Sequence, residues 1–394
     1  MRYISADQIF SGTEFLSIGS VLAIDDNHMI ADILDSSKIN AKKIEHFDGI
    51  ICPGFINTHC HLELSHLKNT IGCKTGIVNF ALDVIKKRNL ASIEEQNEAM
   101  LFADKLMYEQ GIVAVGDISN SNISKDVKSK SSIYYHTFVE LIGLNPQKSE
   151  SVFNSGLNLL NDFKSLNLSC SLAPHAPYSA STKLIELISN ECYEQKKPTS
   201  IHNQESIAEN DFFISKSGDF LKLYNTLNIS IDFFKATKKS SLQSILNSFN
   251  KAVNTLLVHN TFSSIEDVIF AKKNHKQLFW CICANANLYI ENTLPNIDLL
   301  ISENCEITLG TDSLASNNKL SIIEEINTIK KHFSHIPLES LLKMATYNGA
   351  KFLGIENKFG LIEKGRNSEL NLITNLNGVY DVKKIRQELK SKSK

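Results

Sequence analysis

Four phrases in the chain carry residue types that could do chemistry. Pro53-Gly54-Phe55-Ile56-Asn57-Thr58-His59-Cys60-His61 is an apolar approach that ends in H-x-H. On an extended strand, side chains two apart share a face, so His59 and His61 could offer two imidazoles to one cation. Alone the pattern is weak, since twelve histidines in 394 residues yield about 0.4 such triplets by chance. Ser200-Ile201-His202-Asn203-Gln204-Glu205 sets a histidine at the end of an apolar run with a carboxylate three residues on. That is either a ligand beside a proton carrier or a rim histidine beside a solvated, helix-capping glutamate. Leu256-Leu257-Val258-His259 ends on a histidine that is functional or a hydrogen-bonded core residue. Ile307-Thr308-Leu309-Gly310-Thr311-Asp312 ends on an aspartate that is a ligand or the N-cap of the next helix.

The elements that must position these groups follow from where apolar runs stop. Between about residues 51 and 355, short apolar runs alternate with amphipathic stretches such as Glu94–Tyr108, Thr182–Cys192 and Ile322–His332, as a parallel sheet with helices requires. The runs end at His59/His61, Asp117, Glu140, His175, His202, His259, Asn285/Asn287 and Asp312. Eight strand ends in order, each tipped by a polar residue, predict a (β/α)₈ TIM barrel whose open rim collects functional groups. The gaps from His61 to Asp117 and from His202 to His259 exceed one βα unit and predict extra helices over the mouth.

Outside the barrel, Ser20–Ile24 and Met29–Ile33 flank the turn-forming Asp25-Asp26-Asn27, and Gly360–Arg366 and Leu370–Ile373 read as strand, turn and strand. Residues 1–50 and 356–394 therefore form one small composite β domain, a β-sandwich, around a barrel at 51–355. From Lys383 to Lys394 the chain is basic and reads as a solvated terminal helix.

Composition narrows the function class. Lys+Arg 41 against Asp+Glu 43 leaves a net charge of -2, no field for a nucleic-acid backbone. Eight scattered cysteines without a C-x₂-C pair read as reduced core thiols. No segment reaches a membrane span, and the N-terminus lacks a charged region followed by an apolar one. A cytoplasmic enzyme with a small-molecule substrate, no nucleic-acid or membrane partner, and homodimeric assembly is the expectation.

The order H-x-H, H-x-x-E, His, Asp resembles the amidohydrolase superfamily. The phrases P-G-F-I-N-T-H-C-H, A-P-H-A-P-Y-S, L-G-T-D-S-L-A-S-N, A-T-Y-N-G-A-K-F-L-G-I and G-L-I-E-K-G are similar to its adenosine-type and S-adenosylhomocysteine-type deaminases. His61-Leu62-Glu63-Leu64-Ser65 is similar to the branch that deaminates aminofutalosine in menaquinone synthesis. The resemblance implies one divalent metal, zinc with iron or manganese as alternatives, on His59, His61, His202 and Asp312. It further implies His259 beside the attacking water, Glu205 as proton shuttle and His175 as a substrate contact. Two-metal members carry a carboxylated lysine on the fourth strand; here that strand ends Ala173-Pro174-His175, which implies a single ion. Such an ion lowers the pKa of a bound water toward ~7, with Asp312 accepting its proton.

Two phrases depart from the family pattern. Cys283-Ala284-Asn285-Ala286-Asn287-Leu288 lacks its Pro and Ser, and Gly365-Arg366-Asn367-Ser368-Glu369-Leu370 lacks its Ala-Asp. Neither is expected to touch the metal set. Arg88 is the sole arginine between Arg2 and Arg366; it is either a solvated charge in Lys86-Lys87-Arg88 or a partner for a carboxylate on the substrate's far end. The implied reaction is hydrolytic deamination of an adenine-type nucleoside, 6-aminofutalosine to futalosine and ammonia. S-adenosylhomocysteine, methylthioadenosine or adenosine are alternative substrates. Guanine deamination, triazine dechlorination and a non-catalytic scaffold are more remote readings.

Overall fold

The computed structural model describes residues 1–385. Four strands from the N-terminal end, β1 (Arg2–Ile9), β2 (Ser20–Ile24), β3 (Ile30–Asp35) and β4 (Ile44–Pro53), begin a small sheet. The turn between β2 and β3 is held by Asp25, whose Oδ1 accepts the backbone N–H of Asn27 at 2.9 Å and of Met29 at 2.8 Å, the local competition with regular structure that makes aspartate a turn residue. β4 runs through position 50 to Pro53, and Gly54 alone separates it from the next strand. A Cβ at Gly54 would lie 2.3 Å from Val113 Cγ1, so only glycine lets the chain pass here.

The barrel strands follow in two parallel sets. β5 (Phe55–Cys60), β6 (Ile112–Ser119), β7 (Tyr134–Leu141) and β8 (Ser169–Pro174) form one; β9 (Thr199–Asn203), β10 (Thr255–His259), β11 (Leu278–Ile282) and β12 (Glu306–Leu309) form the other. Hydrogen bonds join the sets at both edges. His202 N donates to His175 O at 2.9 Å, and Thr311 N donates to His59 O at 3.0 Å. The eight strands thus follow one another around the barrel, and every expected polar strand tip falls at or within a few residues of an observed strand end. These strands are buried almost throughout, which is why they read as apolar runs rather than as alternation.

Helices Ile93–Glu109, Thr182–Glu194 and Ile322–His332 occupy the amphipathic stretches. The first is entered through a reciprocal capping box between Ser92 and Glu95. The long gaps hold the extra elements: a 3₁₀ helix at Leu62–Leu67 and a helix at Ile77–Lys87 in the first, and short helices at Ile207–Ser215, Phe220–Thr226 and Ser241–Ile245 in the second. Among the described residues no helix is long and apolar enough to cross a membrane.

The chain then returns to the small sheet with β13 (Leu370–Leu376) and β14 (Val379–Lys384), giving the order β14-β13-β4-β1-β2-β3. The strands of both termini join in one hydrogen-bonded sheet, because β4 pairs parallel with β1 and antiparallel with β13. Ile4, Leu22, Ile30, Ile51 and Leu370 fill its core. Gly360–Arg366 is not a strand: Ile362 N donates to Ser11 O and Gly365 N to Ile30 O, both at 2.7 Å, across an irregular strap. Lys383 and Lys384 lie in β14 rather than in a helix; Lys384 Nζ pairs with Glu369 Oε2 at 2.7 Å and sits over the Tyr108 ring. The rest of the expected terminal helix lies outside the described residues.

Candidate metal centre

His59 lies on β5 and His61 one residue past its end, His202 lies on β9, and Asp312 follows β12. The fold brings all four together. His61 Nε2 is 3.2 Å from His59 Nε2 and 3.3 Å from His202 Nε2. Asp312 Oδ1 is 3.4 Å from His61 Nε2 and 3.6 Å from His59 Nε2. All four side chains are buried.

Hydrogen bonds identify the tautomer of His202. Its Nδ1 donates to the His175 carbonyl oxygen at 2.7 Å, so in the neutral ring Nε2 carries the lone pair. That lone pair faces the ring nitrogen of His61. Burial lowers the pKa of His61 to about 3 and that of His202 well below the ordinary range. Burial alone would raise the Asp312 carboxyl, but His59, His61 and His259 hold it well below its usual value. Three imidazoles and one carboxylate converging on a common point, with ring nitrogens at near-contact distance, form the donor set that a divalent cation requires. Asp312 is further held by Ser316 Oγ, which donates to its Oδ2. His59 Nδ1 is buried without a hydrogen-bond partner, which leaves the ring's orientation to packing.

The other site residues line the same rim. His259, the last residue of β10, has its Nε2 3.6 Å from Glu205 Oε1, and its Nδ1 is 3.2 Å from Asn287 Oδ1. Glu205 is buried, and that burial, with repulsion from Asp312 and Glu291, raises its carboxyl well above the ordinary range. His175 Nδ1 lies 2.6 Å from Ser179 Oγ, and burial brings its pKa down to about 4. Gln204, His259, Asn260 and Asp312 all have positive φ, 45°, 75°, 57° and 56°, backbone that costs about 1–3 kcal/mol per residue and persists where its surroundings enforce it. At Gln204 that enforcement is visible. Its Nε2 donates to Asp267 Oδ2 at 2.9 Å, its Oε1 accepts Ser263 Oγ at 2.6 Å, and its backbone N–H donates to Glu209 Oε1 at 3.0 Å. Glu205 is the next residue.

Arg88 is neither a solvated charge nor inside the metal cluster. Its Nη2 lies 3.3 Å from Oε1 of the buried Glu63, and its side chain is 29% exposed. Glu63 also accepts Asn120 N and Ser121 Oγ, each at 2.9 Å. Asn120 Nδ2 donates to Glu140 Oε2 at 2.8 Å, and Glu140 Oε1 stands 3.6 Å from His202 Nδ1. A polar chain therefore runs from Arg88 to the metal cluster. Glu140 and Asn287 had been legible only as strand tips, and their position beside histidines is what reveals their part. Asn287 also shows that the departing phrase at 283–288 reaches the site, which its spacing did not suggest.

Residues 50–387 match the amidohydrolase family. An adenosine deaminase of Helicobacter pylori is 26% identical over 383 residues, covering 94% of this chain and 91% of that protein. A 5-methylthioadenosine/S-adenosylhomocysteine deaminase of Dictyoglomus turgidum is 26% identical, covering 93% of this chain and 83% of that protein. The crystal structure of Helicobacter pylori aminofutalosine deaminase in complex with methylthio-coformycin superimposes with a TM-score of 0.82 at 24% identity, covering 96% of this chain and 93% of that one.

Proposed function

The chain belongs to the amidohydrolase family, a hydrolase of the kind that acts on C–N bonds, and we propose that it deaminates an adenine-type nucleoside, 6-aminofutalosine above others, in the cytoplasm. One observation carries this reading: the four donors of His59, His61, His202 and Asp312 meet beside the Glu205–His259 pair. His59, His61, His202 and Asp312 would hold one divalent ion, zinc being the ion best suited to a site of three imidazoles and a carboxylate. When bound, such an ion supplies a water acidified toward neutrality.

The chain's own residues account for the remaining proton traffic. Asp312, held as the anion, accepts a proton as the water's oxygen adds to the ring carbon bearing the amino group. That addition breaks the ring's conjugation and places electron density on the adjacent ring nitrogen. Glu205, whose carboxyl burial raises well above its ordinary range, donates to that nitrogen. The C–N bond then breaks as the proton held by Asp312 reaches the amino group, which leaves as ammonia, while the new hydroxyl gives its proton to Glu205 and becomes the carbonyl. His259, whose Nδ1–H is oriented by Asn287, presents Nε2 toward Glu205 and fixes the side from which water approaches. His175 contacts the base.

Arg88 supports the choice of substrate. One guanidinium nitrogen engages Glu63, and the side chain is partly open, so the fork can still meet a carboxylate such as the benzoate of aminofutalosine. Deamination of S-adenosylhomocysteine or methylthioadenosine is the second reading, favoured by the Dictyoglomus turgidum relative. Eight free thiols suit a reducing compartment. Ammonia release from metal-loaded protein, compared over aminofutalosine, S-adenosylhomocysteine, methylthioadenosine, adenosine and guanine, tests the activity. An Arg88→Ala variant that keeps the wild-type preference between aminofutalosine and adenosine removes Arg88 from the account, and no ammonia from any adenine nucleoside removes the reading.

A further inference from the structure

Beneath the rim lies a buried ion pair that the reaction does not use. Lys128 Nζ is 2.6 Å from Asp117 Oδ2, and both side chains are completely buried. Taking two charges out of water costs several kcal/mol per ion, and a hydrophobic pair of similar volume is often as stable. A pair kept in such a place has a positional consequence to look for, and here it is specific. Asp117 Oδ1 accepts the backbone N–H of Leu62 at 2.8 Å. Leu62 directly follows His61 and opens the 3₁₀ helix Leu62–Leu67, which has no side-chain cap of its own. The orphan donor of that helix is therefore satisfied from 55 residues away.

Lys128 leaves Asp117 no freedom. Its ammonium has three donors, and the structure supplies three acceptors: Asp117, Ser119 Oγ at 2.9 Å and Thr137 Oγ1 at 3.1 Å. The Phe163 ring lies 4.9 Å from Nζ. Asp117 is on β6 directly beside Cys60 of β5, so the carboxylate reaches the turn where the chain leaves the strand carrying His59. We propose that the Lys128–Asp117 pair is a positioning device for the metal centre: it clamps the His61–Leu62 turn and so sets His61 Nε2 against His59 and His202 before any ion binds. Neither residue is among the donors that would hold the ion.

The test measures zinc affinity of folded apoprotein by competition with a chromophoric chelator, which does not depend on the deaminase reading. Lys128→Met should weaken zinc binding about 10- to 100-fold, the range found for residues that orient metal ligands. Two double variants then separate clamping from stability. Asp117→Asn/Lys128→Met keeps an acceptor for the Leu62 N–H and should recover affinity to within a few-fold of wild type. Asp117→Leu/Lys128→Met removes both charges and the acceptor; it should fold, by thermal melting, yet stay weak for zinc. Equal zinc affinity in the two double variants overturns the proposal, as does wild-type affinity in Lys128→Met. If Lys128→Met does not fold, the pair of double variants decides alone.

Discussion

Asn287 and His259 face each other across the seventh and sixth strand ends, with Asn287 Oδ1 3.2 Å from His259 Nδ1 and Asn287 Nδ2 donating to Thr261 Oγ1. With the amide oxygen facing the ring, Nδ1 donates to Asn287, and the neutral imidazole has its Nε2 lone pair toward Glu205. Asn287→Ala should lower kcat about 10- to 100-fold while bound metal stays at the wild-type level. Steady-state ammonia release together with elemental analysis checks this; an unchanged kcat would mean that the imidazole orients itself.

Burial, with repulsion from Asp312 and Glu291, raises the Glu205 carboxyl well above its ordinary range. Glu205→Gln keeps the shape and loses the exchangeable proton. Turnover should fall about 10²–10⁴-fold, the usual share of general acid–base assistance, with no loss of metal. A variant that turns over at the wild-type rate would sink the proton-shuttle role.

Gly310 sits directly under the cluster. A Cβ there would lie 2.7 Å from Cys281 Sγ, 2.9 Å from His59 Cβ and 3.0 Å from Cys283 Sγ. Gly310→Ala must therefore push against the Cys281 and Cys283 sulfurs and the Cβ that carries the His59 ring, whose Nδ1 has no hydrogen bond to resist a shift. The expected loss is about 1–3 kcal/mol of stability from overpacking, accompanied by weaker metal binding. Urea denaturation and metal titration of the same protein would show it, and an Ala variant equal to wild type in both would mean that the strand simply shifts.

Glu325 gives the fold a pH dependence apart from the metal. It is fully buried and accepts Asn285 N at 3.0 Å and the side-chain amides of Asn285 and Asn317, each at 2.9 Å. Burial nonetheless pushes its carboxyl up to about 8, against those three donors. Between the ordinary carboxylate value and 8 the folded state thus holds a proton that the unfolded chain has released. Stability must then fall as pH rises through that window, by up to about 1.4 kcal/mol per pH unit from this group, and level off above it. In apoprotein, Glu325→Gln should flatten the slope of unfolding free energy between pH 5 and 8. Parallel slopes for variant and wild type would exclude Glu325 as its source.

The barrel was legible because strands buried on both faces give uninterrupted apolar runs, and a run that stops at His202 or Asp312 marks the rim by its polarity. Convergence of His59, His61, His202 and Asp312 was legible only through their order along the chain. What escaped was set by tertiary contact. Nothing between Asp117 and Lys128, or between Glu63 and Arg88, marks them as partners, since the loops that join them decide the pairing. Gly360–Arg366 reads in the sequence as a strand running into a turn, yet Gly360 and Gly365 adopt φ of 85° and 83°. Those turns direct its backbone groups to Ser11 and Ile30 instead of to a strand partner.

The register that pairs Ile51 of β4 with Leu372 of β13 has a consequence for biosynthesis. A nascent chain presents β1 and β4 early, but β13, the partner on β4's other edge, is synthesised more than three hundred residues later, and pairings this distant in sequence close slowly. Until then the strand leading into the His59 segment has an open edge, a template for association with other chains. Production at low temperature or with a chaperone that shields unpaired edges should therefore raise yield more than changes to the barrel itself.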